Sequence, residues 1–200
     1  FGEFKLEVVS GHFGWCAAVH HCDAFSPEAL SDGGGIYGGV TLIRSIFPLD
    51  IVPLTAPPLY VTVVHPQIEV KTSDARQILR KEVLLKDAIK QWGNIAGLVA
   101  GFMKNDYDLI GRSLEDVIIE PVRSILIPGF DEVKQQSREA GALGGGISGS
   151  GPSIFMISKD EGAAISVEAV MTSIFNKLGI DFKTYVTTIN NKGVTIAESA

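Results

Sequence analysis

Residues 141–153 read Gly-Ala-Leu-Gly-Gly-Gly-Ile-Ser-Gly-Ser-Gly-Pro-Ser, and six of the chain's 22 glycines fall within 141–151. Immediately before this run, IPGFDEVKQQSREAG (127–141) carries acidic residues in its first turn and ends on glycine, the signature of a helix. Immediately after it, PSIFMIS (152–158) is apolar and β-prone, the signature of a strand. The order is therefore helix, glycine loop, strand. A dinucleotide fingerprint needs strand, loop, helix, so that pyrophosphate meets a helix N-terminus. A P-loop needs Lys and Ser/Thr after its last glycine, where Pro152 and Ser153 stand here. Both are excluded. Two readings remain open on the residues alone. One is a loop whose amides, beside the small hydroxyls of Ser148 and Ser150, form an anion nest. The other is a glycine-rich turn that lets a helix and a strand approach closely.

Upstream, GGVTLIRSI (38–46) is β-branched and apolar and predicts a strand. PLDIVPLTAPP (48–58) places four prolines in eleven residues, predicting a break in regular structure and the likeliest internal boundary. LYVTVVHP (59–66) is almost continuously apolar and predicts a central strand. TSDARQILRK (72–81) predicts a helix capped by Thr72 or Ser73, and 84–104 a long helix with Ile89, Trp92, Ile95 and Val99 on its apolar face. Gly93, Gly97 and Gly101 recur every four residues along that helix, a spacing for close packing against a second helix. A helix over 106–119 ended near Pro121 follows, and beyond the glycine loop a helix over 161–179 and a strand over 181–188. KGVTIAE (192–198) can add a short last strand. From residue 59 onward this is α+β: an antiparallel or mixed sheet with helices on one face.

The totals exclude several classes. Seventeen basic and 23 acidic residues give a net charge of −6, with a pI of about 5.2, which argues against a nucleic-acid binder. With 46% hydrophobic residues and a mean hydropathy of +0.24, the chain has the apolar surface to fold. No apolar run reaches the length of a membrane span and no signal peptide is visible, so a cytoplasmic protein without a membrane partner is expected. The chain starts at Phe1, not Met, and something is expected to precede it. A second glycine-rich stretch, 11–39, holds seven glycines together with His12, His20, His21, Cys16 and Cys22. The C-x5-C spacing beside His-His matches no structural zinc pattern, and no metal site is assigned.

GALGGGISGSGPSIF resembles the third signature of the GHMP kinases, in which it closes the active site beside the nucleotide phosphates. GGVTLIRS (38–45), HPQIEVKTSDAR (65–76), QWGNIAGLVAGF (91–102) and DYDLIGRSLEDVIIEPVRSILIPGFDEVK (106–134) resemble, within that family, its homoserine kinase branch. The resemblance is dense over 38–158 and looser elsewhere, and the chain is similar to the C-terminal two-thirds of such an enzyme. It implies a remainder of the N-terminal domain, with its ribosomal-protein-like fold, over 1–57, and a C-terminal domain of ferredoxin-like α+β sandwich over 58–200. It also implies ATP and Mg²⁺ as cofactors and L-homoserine as the small-molecule substrate, whose hydroxyl is phosphorylated.

The resemblance implies site residues too. Arg76 in KTSDAR and Arg123 in EPVR match arginines that bind the amino-acid substrate. A planar guanidinium clamps a carboxylate through two parallel hydrogen bonds, which lysine cannot copy. His21-Cys22-Asp23-Ala24-Phe25-Ser26-Pro27 is the nearest match to the family's His-x-Asp-Asn-x-x-Pro stretch, with Asp23 placed to hold the substrate ammonium or hydroxyl. Ala24 departs from the family's Asn, and Ser31–Ile36 reads as an insertion. Gly144, Gly145, Gly146, Ser148, Gly149, Ser150 and Gly151 form the phosphate-side loop. No catalytic base is assigned. The family's upstream phosphate loop, Pro-x-x-x-Gly-Leu-Gly-Ser-Ser-Ala, does not occur in these 200 residues. Two other readings follow: a GHMP kinase for a different alcohol, and a non-catalytic ferredoxin-like binding or dimerisation module. The glycine-studded helix at 84–104 suits an interface between two copies, so a homodimer is one expectation.

Overall fold

Val40–Ile46 and Leu49–Leu54 are strands β1 and β2, paired antiparallel from Val40 opposite Leu54 to Ile46 opposite Leu49. The expected proline break at 48–58 is therefore corrected: its first half is a strand. A two-stranded ladder tolerates Pro53, which lies opposite Thr41, because alternate amides of an edge strand point away from the partner. The computed structural model describes residues 39–46, 48–71, 75, 77–189 and 191. These fall in two compact units. One spans 57–188, and the other holds the β1–β2 hairpin together with 189 and 191.

The 57–188 unit is built on β3 (Tyr60–Pro66). Its helices are α1 (Leu85–Lys104), α2 (Tyr107–Ser113), α3 (Glu120–Arg123) and α4 (Phe130–Glu139), with a 3-10 turn at 124–126 between α3 and α4. Strands β4 (Gly144–Ile147) and β5 (Ile154–Ser158), helix α5 (Glu161–Leu178) and strand β6 (Phe182–Thr188) complete it. The sheet order is β4-β5-β3-β6 and every neighbouring pair is antiparallel, the arrangement of a ferredoxin-like βαββαβ unit. β3 is central, as its apolar run predicts, and Val61–Val64 and all of β5 are buried. Val64, Ile154 and Met156 pack against Val133 and Phe130 of α4 and Val167, Met171, Ile174 and Phe175 of α5. The one polar side chain on this stretch of β3, Thr62, donates to the carbonyl of Ala164 at 3.0 Å, so its burial leaves no orphan hydroxyl.

Local chemistry sets the helix ends. Asp160 caps α5 by accepting from the Ala163 amide at 2.9 Å, and Gly179 closes it in the left-handed region at φ 66°. Two expected helices are corrected. Of the helix predicted over 72–81, Ala75 and Gln77 are helical, and 78–84 is not. Ile78 and Leu79 there are only half-buried, which gives a short helix little to pack on. The helix predicted over 106–119 ends at Ser113, because polar side chains offer its next amides and carbonyls other partners. Gln91 accepts from the Val117 amide, Asn94 donates to the Glu115 carbonyl, and Asp116 accepts from the amides of Ile118 and Ile119. Pro121, expected to stop a helix, instead stands in the first turn of α3, where a missing N–H costs nothing.

The apolar face expected on the long helix is also corrected. Ile89 and Trp92 are more than half exposed, whereas Gln91, Leu98, Gly101 and Phe102 are buried. Glycine explains the turn of the helix. A Cβ on Gly97 would lie 2.5 Å from Ser113 Oγ, and one on Gly101 would lie 3.0 Å from the Ile110 amide nitrogen, so α2 seats directly on α1 backbone. Gly93 has nothing within 4 Å and plays no part in this contact. Among the described residues, no helix is long and apolar enough to cross a membrane.

Candidate active site

The glycine run divides into two parts that do different things. Gly144, Gly145 and Gly146 are not loop residues: they form buried strand β4, paired to Ile157, Met156 and Phe155. A Cβ on Gly145 would lie 2.0 Å from the Phe155 carbonyl oxygen and 2.7 Å from Met156 Cα, both main-chain atoms. Glycine is demanded here by packing. The loop proper is Ser148–Ser153, half-buried apart from Pro152 and closed by the Ser148 amide on the Ser153 carbonyl at 2.8 Å. The Gly151 amide donates to the Ser148 carbonyl at 3.0 Å. Gly149 and Gly151 have φ of 58° and 85°, the left-handed region in which nests form. Among the described residues the amides of Gly149 and Ser150 have no hydrogen-bond partner. The close-approach reading therefore holds for Gly144–Gly146, and Ser148–Ser153 is the part to which the anion-nest reading applies.

Arg123 lies behind this loop. It ends α3 and is 3% exposed, and Nη1 donates to the Gly149 carbonyl at 3.0 Å. Nε donates to the carbonyl of Ala75 at 3.4 Å, so the guanidinium joins the loop to the segment that leads into position 76. A surface arginine has no such partners. Arg76 and Asp23, the other two expected substrate contacts, lie outside the described residues, as do His12, Cys16, His20, His21, Cys22 and the whole of KGVTIAE.

Three buried or half-buried groups around the loop were not among the expected site residues. His65 on β3 shares a 2.8 Å hydrogen bond between Nδ1 and Ser153 Oγ, which ties the loop's exit to the central strand. Burial, and then the nearby Lys183 charge, lower the His65 pKa and so favour its neutral imidazole. Glu120 and Lys134 form a buried ion pair between α3 and α4. Burial pushes the Glu120 carboxyl up from 4.5 to about 6; Lys134 and Arg138 oppose the rise and Asp116 adds to it. Glu120 and Arg123 stand three residues apart in E-P-V-R, and that spacing was the only sequence sign linking them.

The Glu120 shift has a definite consequence for stability. A folded-state pKa above the unfolded one adds stability below pH 4.5 that is lost as pH rises through about 6. At ~1.4 kcal/mol per pH unit, the rise from 4.5 to about 6 amounts to about 2 kcal/mol. Wild-type protein is therefore expected to lose about 2 kcal/mol relative to Glu120→Gln between pH 4 and pH 7, measured by urea unfolding at both pH values. A difference that does not change with pH would contradict the burial of this carboxylate.

The donor set around the loop consists of groups of the kind that bind anions. Two open amides, two small hydroxyls and a guanidinium behind the loop suit a phosphate group. Among the described residues no group of three or more His, Cys, Asp or Glu side chains could hold a metal ion.

Comparison with known proteins agrees with this geometry. Residues 98–177 match the family model described as GHMP kinases C terminal. A homoserine kinase of Chloroherpeton thalassium is 48% identical over 172 residues, 86% of this chain and 51% of that protein. The chain thus spans about half the length of the curated relatives it matches. The crystal structure of a homoserine kinase from Cytophaga hutchinsonii superposes with a TM-score of 0.77 at 52% identity, covering 78% of this chain and 50% of that one. L. major mevalonate kinase, 13% identical with a TM-score of 0.62 over 86% of this chain and 55% of that one, shares the fold alone. Sheet order, glycine loop and identity point the same way as the family match: residues 98–177 are similar to the C-terminal domain of the GHMP kinases, and 86% of the chain is similar to a homoserine kinase.

Proposed function

We propose that this chain is the C-terminal, substrate-clamping part of a homoserine kinase, which transfers the γ-phosphoryl group of ATP to the side-chain hydroxyl of L-homoserine and yields O-phospho-L-homoserine. The observation that carries the proposal is Arg123: a buried guanidinium that donates to the glycine loop at Gly149 and to the carbonyl of Ala75, the residue before Arg76. On this proposal a carboxylate-binding group stands next to a phosphate-binding one. The substrate of a homoserine kinase needs both within one small molecule's length.

In this reading Arg76 and Arg123 fix the substrate carboxylate, and Asp23 holds its ammonium or hydroxyl. The amides of Gly149 and Ser150 receive phosphate oxygens. Phosphoryl transfer asks mainly for positioning and charge neutralisation, which these groups supply without a dedicated base. Mg²⁺ supplies further charge neutralisation when bound with ATP, and no described residue is assigned to it. A GHMP kinase for a sugar or another uncharged alcohol gives the two arginines no carboxylate to bind.

The deciding experiment measures ADP release by the protein expressed from its intact reading frame. Release is expected with ATP and L-homoserine together and not with ATP and mevalonate or galactose. Turnover on mevalonate or galactose but not homoserine would move the protein to another branch of the family.

A further inference from the structure

Glu120 is a buried charge that the phosphoryl transfer described above does not use. It is the first residue of α3, and its side chain is 12% exposed. Its carboxylate pairs with Lys134 and occupies the space a side chain at 146 would need: a Cβ on Gly146 would lie 2.5 Å from Oε2. At the other end of α3, Arg123 holds the Gly149 carbonyl. One four-residue helix therefore touches the glycine run twice, once on strand β4 and once on the loop. So short a helix cannot fix its own place, since helices under about 12 residues depend on their packing. The pins are side chains. Asp116 holds the approach to α3 through the Ile118 and Ile119 amides, and Lys134, 5.8 Å from the Phe130 ring centroid, anchors Glu120 to the core.

We propose that Glu120 is a positioning residue: clamped by Lys134 and received by bare backbone at Gly146, it sets α3 on β4 so that Arg123 reaches both the loop and the substrate carboxylate. Its kinetic consequence rests on the homoserine kinase reading; its geometric consequence does not. The charged groups facing the carboxylate are Lys134, Arg138 and Asp116. Burial outweighs the attraction of the two cations, so the pair contributes placement more than stability. Glutamine keeps the shape of this side chain and removes only its charge, so Glu120→Gln is a variant that folds.

Two measurements test the proposal. The first uses the chain alone and follows hydrogen exchange of the Arg123 Nε–H by NMR. Glu120→Gln is expected to exchange about tenfold faster than wild type, because the arginine is no longer held against the Ala75 carbonyl. Gly146→Ala, which pushes a Cβ into the carboxylate's place, is expected to do the same. The double variant should then be no worse than either single one, since both break one device. Unchanged Arg123 exchange in a folded Glu120→Gln or Gly146→Ala protein, or additive effects in the double variant, would overturn the proposal. The second measurement uses the intact reading frame. Glu120→Gln should raise KM for homoserine about tenfold and KM for ATP by less than about twofold. Equal losses for both substrates would mark a general structural role and overturn it too. If wild-type protein shows no homoserine-dependent turnover, the homoserine kinase reading fails, while the exchange measurement still decides the role of Glu120.

Discussion

Gly145→Ala is expected to destabilise the 57–188 unit by about 3 kcal/mol or more, at the top of the range for overpacked interiors. A Cβ at this position meets the Phe155 carbonyl oxygen at 2.0 Å and Met156 Cα at 2.7 Å. Both are main-chain atoms of the paired strand β5, so no side-chain rotation relieves the clash. β4 must part from β5 or the sheet must shift. For a chain of this size that loss lowers the thermal midpoint by about 10 °C. Gly93→Ala is the matched control. Its Cβ meets nothing within 4 Å on an exposed helix position, so it should stabilise by up to about 1 kcal/mol through helix propensity. Thermal unfolding of the two variants decides the matter. Equal midpoints would mean that Gly145 is loop-like, not a packing requirement of the sheet.

Arg123→Lys is expected to lower kcat/KM for homoserine about 10- to 100-fold, the equivalent of losing about 1.5–3 kcal/mol of charged hydrogen bonding. Arginine reaches the Ala75 and Gly149 carbonyls from two different nitrogens of one planar group. A lysine ammonium is a single point on a flexible stem and cannot hold both while facing a carboxylate. The loss should sit mainly in KM for homoserine, because ground state and transition state share the carboxylate contact. The assay is ADP release over a range of homoserine concentrations at saturating ATP. A variant with unchanged homoserine KM would remove Arg123 from the substrate site and return it to a purely structural role.

Much of the fold was legible because its strongest elements announce themselves locally. LYVTVVHP and PSIFMIS are apolar runs bounded by breakers, and both are buried central strands. Asp160 and Gly179 bracket α5 with cap chemistry that a sequence shows directly. The misreadings share a cause: the deciding partner lay in another element, outside the stretch being read. β4 has three glycines and shows no alternation, so only its pairing with β5 makes it a strand. β2 was hidden by prolines that a two-stranded hairpin accepts. The long helix turned a different face inward because α2 sits on Gly97 and Gly101. At the site, the glycine run and Arg123 were visible in the sequence, but the burial of Arg123 and its hold on Gly149 were not. The Glu120–Lys134 pair joins residues 14 apart on different helices, a separation that no helical or strand spacing singles out.

The place of β3 in the sheet also governs how this unit is made. Tyr60 pairs with Ser158 on one side and with Thr188 on the other, 98 and 128 residues further along the chain. Within this unit β3 is thus synthesised before both strands that flank it and waits for each of them. Such long-range closure slows folding, and unpaired apolar edges of this kind are where nascent chains aggregate. A ribosome-bound chain must release β6 before the second edge of β3 is covered, so the last strand to emerge completes the shield of the first.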